Sequence, residues 1–208
     1  MNLRSILRCM ARISLFIYPY SLASSFRKAF SYIASYRFGF LIQRKGRVFL
    51  KMPFYVLGHK YITIGDGFVA DAGFRIECWD KYNNQIFTPS VIIGDNVSFN
   101  YRCHIGCINQ IIIGNNVLLG SQVLITDHSH GGENDEQEII PKMKNLYSKG
   151  PVIIEDNVWI GEGVCILPNV RIGANSVIGA NAVVIKDIPP YSVAVGNPAR
   201  VVKKMNVR

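Results

Sequence analysis

A period of six residues runs from Ile64 to Val184 and constrains this chain more than any other feature. Its turns read IGDGFV, ADAGFR, IGDNVS, FNYRCH, IGCINQ, IGNNVL and LGSQVL, then, after an interruption, IEDNVW, IGEGVC, ILPNVR, IGANSV, IGANAV and VIKDIP. The leading positions are Ile64, Ala70, Ile76, Ile93, Phe99, Ile105, Ile113, Leu119, Ile125, Ile154, Ile160, Ile166, Ile172, Ile178 and Val184. An amphipathic helix repeats at 3.6 and a half-buried strand at 2. Neither explains glycine at positions 65, 94, 114, 161, 173 and 179. Stacked parallel strands do: three hexads make one triangular coil, each leading side chain points inward, and Gly, Asn or Asp absorbs the corner. The hexads predict an all-β solenoid of about five coils.

With 49% hydrophobic residues among 208, the chain has ample material for a core, which excludes intrinsic disorder. Its apolar runs span a handful of residues, far short of the roughly 20 that a membrane-spanning helix needs. Arg4, Arg8 and Arg12, followed by Pro19, Arg27 and Lys28, break the clean apolar stretch of a cleavable leader, so the start is read as retained and the protein as cytoplasmic. Five cysteines, odd in number and without a C-x-x-C pair, argue against a disulfide framework or zinc ribbon; they read as reduced, mostly buried thiols.

The net charge of +9 is not evenly spread. Residues 1–65 hold 11 Lys and Arg and no acid, whereas residues 66–208 hold 12 bases and all 14 acids. A near-neutral body argues against nucleic acid, which wants a basic face on the folded module. The basic start instead divides the chain into an arm (1–45), a β-helix domain (46–204) with an insertion at 127–152, and a tail (205–208). Within the arm, Arg4, Arg8 and Arg12 recur every fourth residue from Leu3 to Ile17, opposite Ile6, Leu7, Met10, Ile13 and Ile17. A second helix is predicted over Ser24 to Ile42, with Phe26, Phe30, Ile33, Phe38 and Leu41 beside Arg27, Lys28 and Arg37. Such helices either pack on the domain or lie in the headgroup region of an anionic membrane, here the inner membrane.

The stretch VWIGEGVCILPNVRIGANSVIGANAVVIKDIPPYSVAVGNPARVVKK is similar to the maltose and galactoside O-acetyltransferases among the hexapeptide-repeat acyltransferases. The ITDHSHGG segment and basic arm resemble more closely the bacterial O-acetyltransferases of O-antigen, capsule and exopolysaccharide. The resemblance covers about residues 60 to 204. It implies a left-handed coil, on which the periodicity is silent, a homotrimer with sites between subunits, acetyl-CoA as donor with no metal, and a sugar acceptor, free or lipid-linked.

The hexads break between Ile125 and Ile154, and insertions on a solenoid carry function. His128 and His130 stand at the mouth of this insertion, and an imidazole is the natural base for a sugar hydroxyl. Ungapped register from Ile93 places the family's base on His130, with His128 second, and its acceptor-contacting asparagine on Asn100. Asp127 either orients a histidine, as triad carboxylates do, or caps the turn. Asn100 equally suits a corner, while Glu133, Asp135, Glu136 and Glu138 suit either sugar hydrogen bonding or a solvated tip. The resemblance further implies Trp159, read as a corner aromatic, beside the acyl donor, and donor contacts at Gly161, Glu162, Ala180, Ile185, Lys186, Arg200 and Lys203. Glu162 and Ile185 replace a small residue and a threonine of the family pattern, so their contacts are expected from backbone.

Three rivals use the same frame. N-acetylation of an amino sugar shares donor and fold. A β-helix zinc carbonic anhydrase would need three imidazoles on one metal, nominally His104, His128 and His130. A scaffold without catalysis would need none of these side chains.

Overall fold

The computed structural model describes residues 3–17, 20–132 and 140–206. Two helices come first, α1 (Leu3–Ile17) and α2 (Tyr20–Gly39). Pro19 lies outside the described residues, as do Glu133, Asp135, Glu136 and Glu138. The second helix spans Tyr20–Gly39, earlier at both ends than the expected Ser24 to Ile42, because Leu41 and Ile42 already turn toward the first strand. It packs on Val48–Leu50 by burying Ala23, Ser31, Ser35 and Phe38. The Ser35 hydroxyl accepts from Leu50 N at 2.8 Å and the Ser31 hydroxyl from Met52 N at 3.1 Å, which satisfies the unpaired edge of the sheet end. The side chains of residues 3–16 are all exposed, and no described helix is long and apolar enough to cross a membrane.

The remaining chain winds around three parallel sheets. The first stacks Gln43–Arg44, Ile62–Ile64, Ser90–Ile93, Gln110–Ile113, Val152–Ile154 and Arg171–Ile172. The second stacks Val48–Leu50, Phe68–Ala70, Ser98–Phe99, Leu118–Leu119, Trp159–Ile160 and Val177–Ile178, then Ser192–Val195 and the antiparallel Arg200–Lys204. The third stacks Tyr55–Leu57, Arg75–Cys78, His104–Cys107, Leu124–Thr126, Cys165–Ile166 and Val183–Val184. The first and third sheets thus have six parallel levels and the second has seven, Ser192–Val195 opening a further, incomplete turn, so the chain winds six complete coils and not five. The added coil, residues 43–57, keeps the spacing of six at Arg44, Leu50 and Val56 but starts on a charged residue, and helix α2 packs against it in place of another turn of the solenoid.

The period is explained by what each position meets. All fifteen leading side chains are at most 2% exposed, and they pair level on level, as Ile93 with Ile113 and Ile113 with Ile154. Corner geometry explains the polar residues between them. At the corner after the first sheet, Gly67, Asn96, Asn116, Asn157 and Asn175 all take positive φ. Asparagine tolerates that region, and its amide links one coil to the next: Asn96 Nδ2 donates to Asn116 Oδ1 at 3.3 Å, Asn116 to Asn157 at 3.0 Å and Asn157 to Asn175 at 3.2 Å. Gly161 meets a different demand, since a Cβ there would stand 2.6 Å from the backbone nitrogen of Ala180 on the coil above.

Candidate active site

Both interruptions of the hexads leave from one corner, the one after the third sheet. The first, residues 79–89, folds back as the hairpin Lys81–Tyr82 with Gln85–Ile86, and the second pairs Ser129–His130 antiparallel to Leu146–Tyr147. They clasp each other: Tyr82 Oη donates to Lys142 O at 3.0 Å, Gln85 Nε2 to Leu146 O at 3.1 Å, and Leu146 N to Gln85 Oε1 at 2.7 Å. Beneath this clasp and over the outer face of the third sheet lies a cavity of about 370 Å³. Arg75, Glu77, Trp79, Tyr82, His104, Gly106, Leu124, Thr126, His128, Ser129, His130 and Leu146 line it.

Asp127 organises its deep end. The strand Leu124–Thr126 stops, the next side chain turns inward, and its carboxylate is fully buried. A buried carboxylate must be matched by donors, and the corner one coil below supplies them: Ile108 N at 2.9 Å, Asn109 N at 2.8 Å and the Cys107 thiol at 3.2 Å. Hydrogen bonding with Cys78, burial and the Asp127 charge push the Cys107 thiol far above the ordinary thiol range, so it remains a donor and not a nucleophile. The fourth donor is His128, whose Nδ1 stands 2.9 Å from Asp127 Oδ1. That bond fixes the proton on Nδ1, and among the described residues Nε2 has no hydrogen-bond partner, the arrangement by which a carboxylate prepares an imidazole to take a proton. Asp127 therefore orients His128 and does more than cap the turn. His130 is exposed instead, its ring edge-on to Tyr82 with centroids 5.5 Å apart.

A second imidazole faces the same cavity. His104 Nε2 lies 3.1 Å from Glu77 Oε2, which also receives Arg75 Nη2 at 3.0 Å. Burial and the neighbouring guanidinium hold His104 below its ordinary value of 6.5, although Glu77 pulls the other way. The ring is thus neutral near pH 7 and donates through Nε2–H. Between the two rings the sheet presents only Gly106, where a Cβ would sit 3.4 Å from His128 Cε1 and 3.8 Å from His104 Nε2.

Other expected residues lie elsewhere on the prism. Asn100 stands exposed at the corner before the third sheet, outside the cavity and across that sheet from His128. Trp159 lies on a strand of the second sheet and not at a corner; it points outward, 55% exposed, between Leu118 and Val177. Arg200 and Lys203 are on the last strand of the same sheet. Gly161, Glu162 and Ala180 follow at the corner beyond it, with Asn181 N donating to Glu162 O. Ile185 and Lys186 share the corner of His128 two coils further on, about 10 Å by the spacing of stacked strands. One chain therefore divides these residues between the two edges of its third sheet. Glu77, Arg75, Trp79 and Tyr82 were not singled out from the sequence; the signal was the second gap in the hexads, between Ile76 and Ile93. Among the described residues no three His, Cys, Asp or Glu side chains cluster to hold a metal, so His104, His128 and His130 form no zinc site.

A three-sided parallel β-helix wound from six-residue repeats is the architecture of one class of acyltransferases. The family model described as "Bacterial transferase hexapeptide (six repeats)" matches residues 151–186. WbbJ of Escherichia coli (strain K12), whose name assigns it to lipopolysaccharide biosynthesis as an O-acetyl transferase, is 35% identical over 162 residues, covering 76% of this chain and 79% of its own length. The crystal structure of a maltose O-acetyltransferase from Clostridium difficile 630 superposes with a TM-score of 0.53 at 30% identity, covering 87% of each chain. The Bacillus cereus N-acyltransferase AntD, crystallised as a point mutant with dTDP-4-amino-4,6-dideoxyglucose and coenzyme A, shares the fold at a TM-score of 0.69 and 20% identity, over 85% of this chain and 90% of its own. The chain belongs to the hexapeptide-repeat acyltransferases, and it is an acetyltransferase.

Proposed function

We propose that the protein transfers an acetyl group from acetyl-CoA to a hydroxyl of a sugar in a bacterial surface polysaccharide or its precursor. The observation that carries this reading is the Asp127–His128 pair at the end of the cavity, with Nε2 unengaged among the described residues. His128 Nε2 takes the hydroxyl proton, the oxygen bonds to the acetyl carbon, and the thioester C–S bond breaks as coenzyme A leaves with a proton. Backbone N–H groups stabilise the oxyanion. His130, the base implied by register, is exposed and meets no carboxylate among the described residues, which favours His128 in that role.

The donor residues suit coenzyme A. Arg200, Lys203 and Lys186 match its phosphates, Gly161 and Ala180 offer backbone at a corner stripped of side chains, and Trp159 offers an exposed aromatic face. Their division between the two edges of one chain supports a homotrimer of left-handed β-helices. In it, the Trp159 side of one subunit would face the His128 cavity of the next, bringing Asn100 or its neighbours toward the acceptor. The outward apolar row Val69, Leu118 and Trp159 on the second sheet is what such an interface would cover.

The exposed basic helix α1 would bring a cytoplasmic enzyme to the inner membrane, where lipid-linked glycans are built. A variant beginning at residue 43 that bound anionic vesicles as well as the full chain would refute this. The function itself is tested by incubating the protein with acetyl-CoA and a panel of sugars and amino sugars, following thioester loss and product mass. A product acetylated on oxygen is expected. Acetylation only on nitrogen would replace the reading with amino-sugar N-acetylation, and no product with any acceptor would favour the scaffold.

A further inference from the structure

The Glu77 carboxylate is not part of the Asp127–His128 pair, and its surroundings fit it for a different task. Its side chain is 13% exposed at the edge of the cavity, on the opposite side of Gly106 from Thr126 and His128. Two donors converge on one oxygen: Arg75 Nη2 at 3.0 Å and His104 Nε2 at 3.1 Å both reach Oε2. Among the described residues Oε1 receives no hydrogen bond. A carboxylate clamped from behind by a guanidinium and an imidazole keeps its charge and its orientation, and presents one unspent acceptor to whatever fills the cavity.

We infer that Glu77 is a specificity-determining residue that accepts a hydrogen bond from a second hydroxyl of the acceptor, next to the hydroxyl from which His128 removes the proton. This rests on the reading of the protein as a sugar O-acetyltransferase. The acceptor class follows from the lining. Gly106 puts no side chain of its own between His104 and His128, so a ring seated in the cavity can turn one hydroxyl toward His128 and its neighbour toward Glu77. Trp79 and Tyr82 supply aromatic walls for the apolar face of a pyranose, while few polar groups fix its orientation. Arg75, the single Lys or Arg among the described lining residues, is paired with Glu77, which disfavours an acidic sugar. The expected ligand is a neutral sugar with vicinal hydroxyls, and His104 is a positioning residue that acts through Glu77.

The test is ligand-observed NMR binding of neutral methyl hexopyranosides and their monodeoxy analogues to the full chain, comparing wild type with Glu77→Gln and Glu77→Asp. Glu77→Gln should weaken the best-binding methyl hexopyranoside by about tenfold or more, the usual size of a hydrogen bond to a charged group. One monodeoxy analogue, lacking the contacted hydroxyl, should bind wild type and variant alike. Glu77→Asp, which keeps the charge beside Arg75 but withdraws the oxygen, should show the same selective loss and serves if Glu77→Gln does not fold. Unchanged affinity in both variants, an equal penalty across all analogues, or no binding of any hexopyranoside to wild type would overturn the inference. Acetyl-CoA turnover is followed separately: wild-type activity carried unaltered by Glu77→Gln sinks this inference alone, whereas wild type that acetylates nothing sinks the functional reading.

Discussion

Replacing Asp127 with asparagine probes the site with almost no change of shape. Four donors meet this carboxylate in the native state: Ile108 N and His128 Nδ1 at Oδ1, and Asn109 N and the Cys107 thiol at Oδ2. An amide keeps one acceptor oxygen and aims an NH2 group at two of the donors. If the oxygen stays with His128, the amide confronts Asn109 N–H, and a buried donor without a partner costs about 1–3 kcal/mol. For a domain of this size that is roughly 2–12 °C in Tm. If the amide turns its NH2 toward His128 instead, the imidazole is driven to the other tautomer, with its proton on Nε2 where the acceptor hydroxyl must deliver one. Activity should then fall by roughly 10² to 10⁴, the span of a general-base contribution. The assay should follow loss of thioester absorbance and not free thiol, because the exposed Cys9 would react with a thiol reagent. Asp127→Asn that folded with native Tm and kept its full turnover would refute the assignment of Asp127 as the orienting group.

Further consequences follow from the same geometry. Gly106→Ala adds a methyl at ordinary contact distances, so Tm should hold within about 1 °C while the acceptor KM rises several-fold, read from initial rates at saturating acetyl-CoA. Because His104 is held below 6.5 in the fold, the unfolded chain binds the extra proton between the two values. Stability should therefore be full above about pH 6.5 and decline as pH is lowered through that window, and urea midpoints of His104→Gln should lose this part of the slope. Asn116→Ala removes two rungs of the corner ladder and puts a Cβ-bearing residue without a helpful amide at φ 56°, for a loss of about 1–3 kcal/mol by urea denaturation. Leu118→Glu should lower the oligomeric mass seen by light scattering if the second sheet is the subunit interface.

The coil was legible in the sequence because each hexad repeats one physical demand: a side chain no larger than the prism admits at the leading position, and a residue tolerant of positive φ at the corner. Ile93, Ile113 and Ile154 say this at three successive levels of the first sheet, so chance agreement at one hexad matters little. The coil at residues 43–57 was missed because, although its leading positions Arg44, Leu50 and Val56 keep the spacing of six, the first is charged and the interval from Val56 to Ile64 is eight. His128 and Asp127 stood out as a polar cluster at a break in the period. Their division of labour did not, since it depends on Ile108 and Asn109, 18–19 residues earlier, whose N–H groups hold the carboxylate. Register alone favoured His130, which is two residues along the same strand-like segment and so equally close in sequence; only the inward turn of Asp127 separates the two. Glu77 and Arg75 escaped notice because in a strand they read as the outward polar residues that any sheet carries.

The central claim is that the imidazole backed by Asp127 removes the acceptor proton. Side-by-side acetyl-CoA turnover by wild type, His128→Ala and His130→Ala, with the best acceptor from the sugar panel, tests it most directly. The account predicts a fall of about 10² or more in kcat for His128→Ala and a change of at most about tenfold for His130→Ala, felt mainly in KM through its contact with Tyr82. Turnover that survives in His128→Ala but collapses in His130→Ala would contradict it.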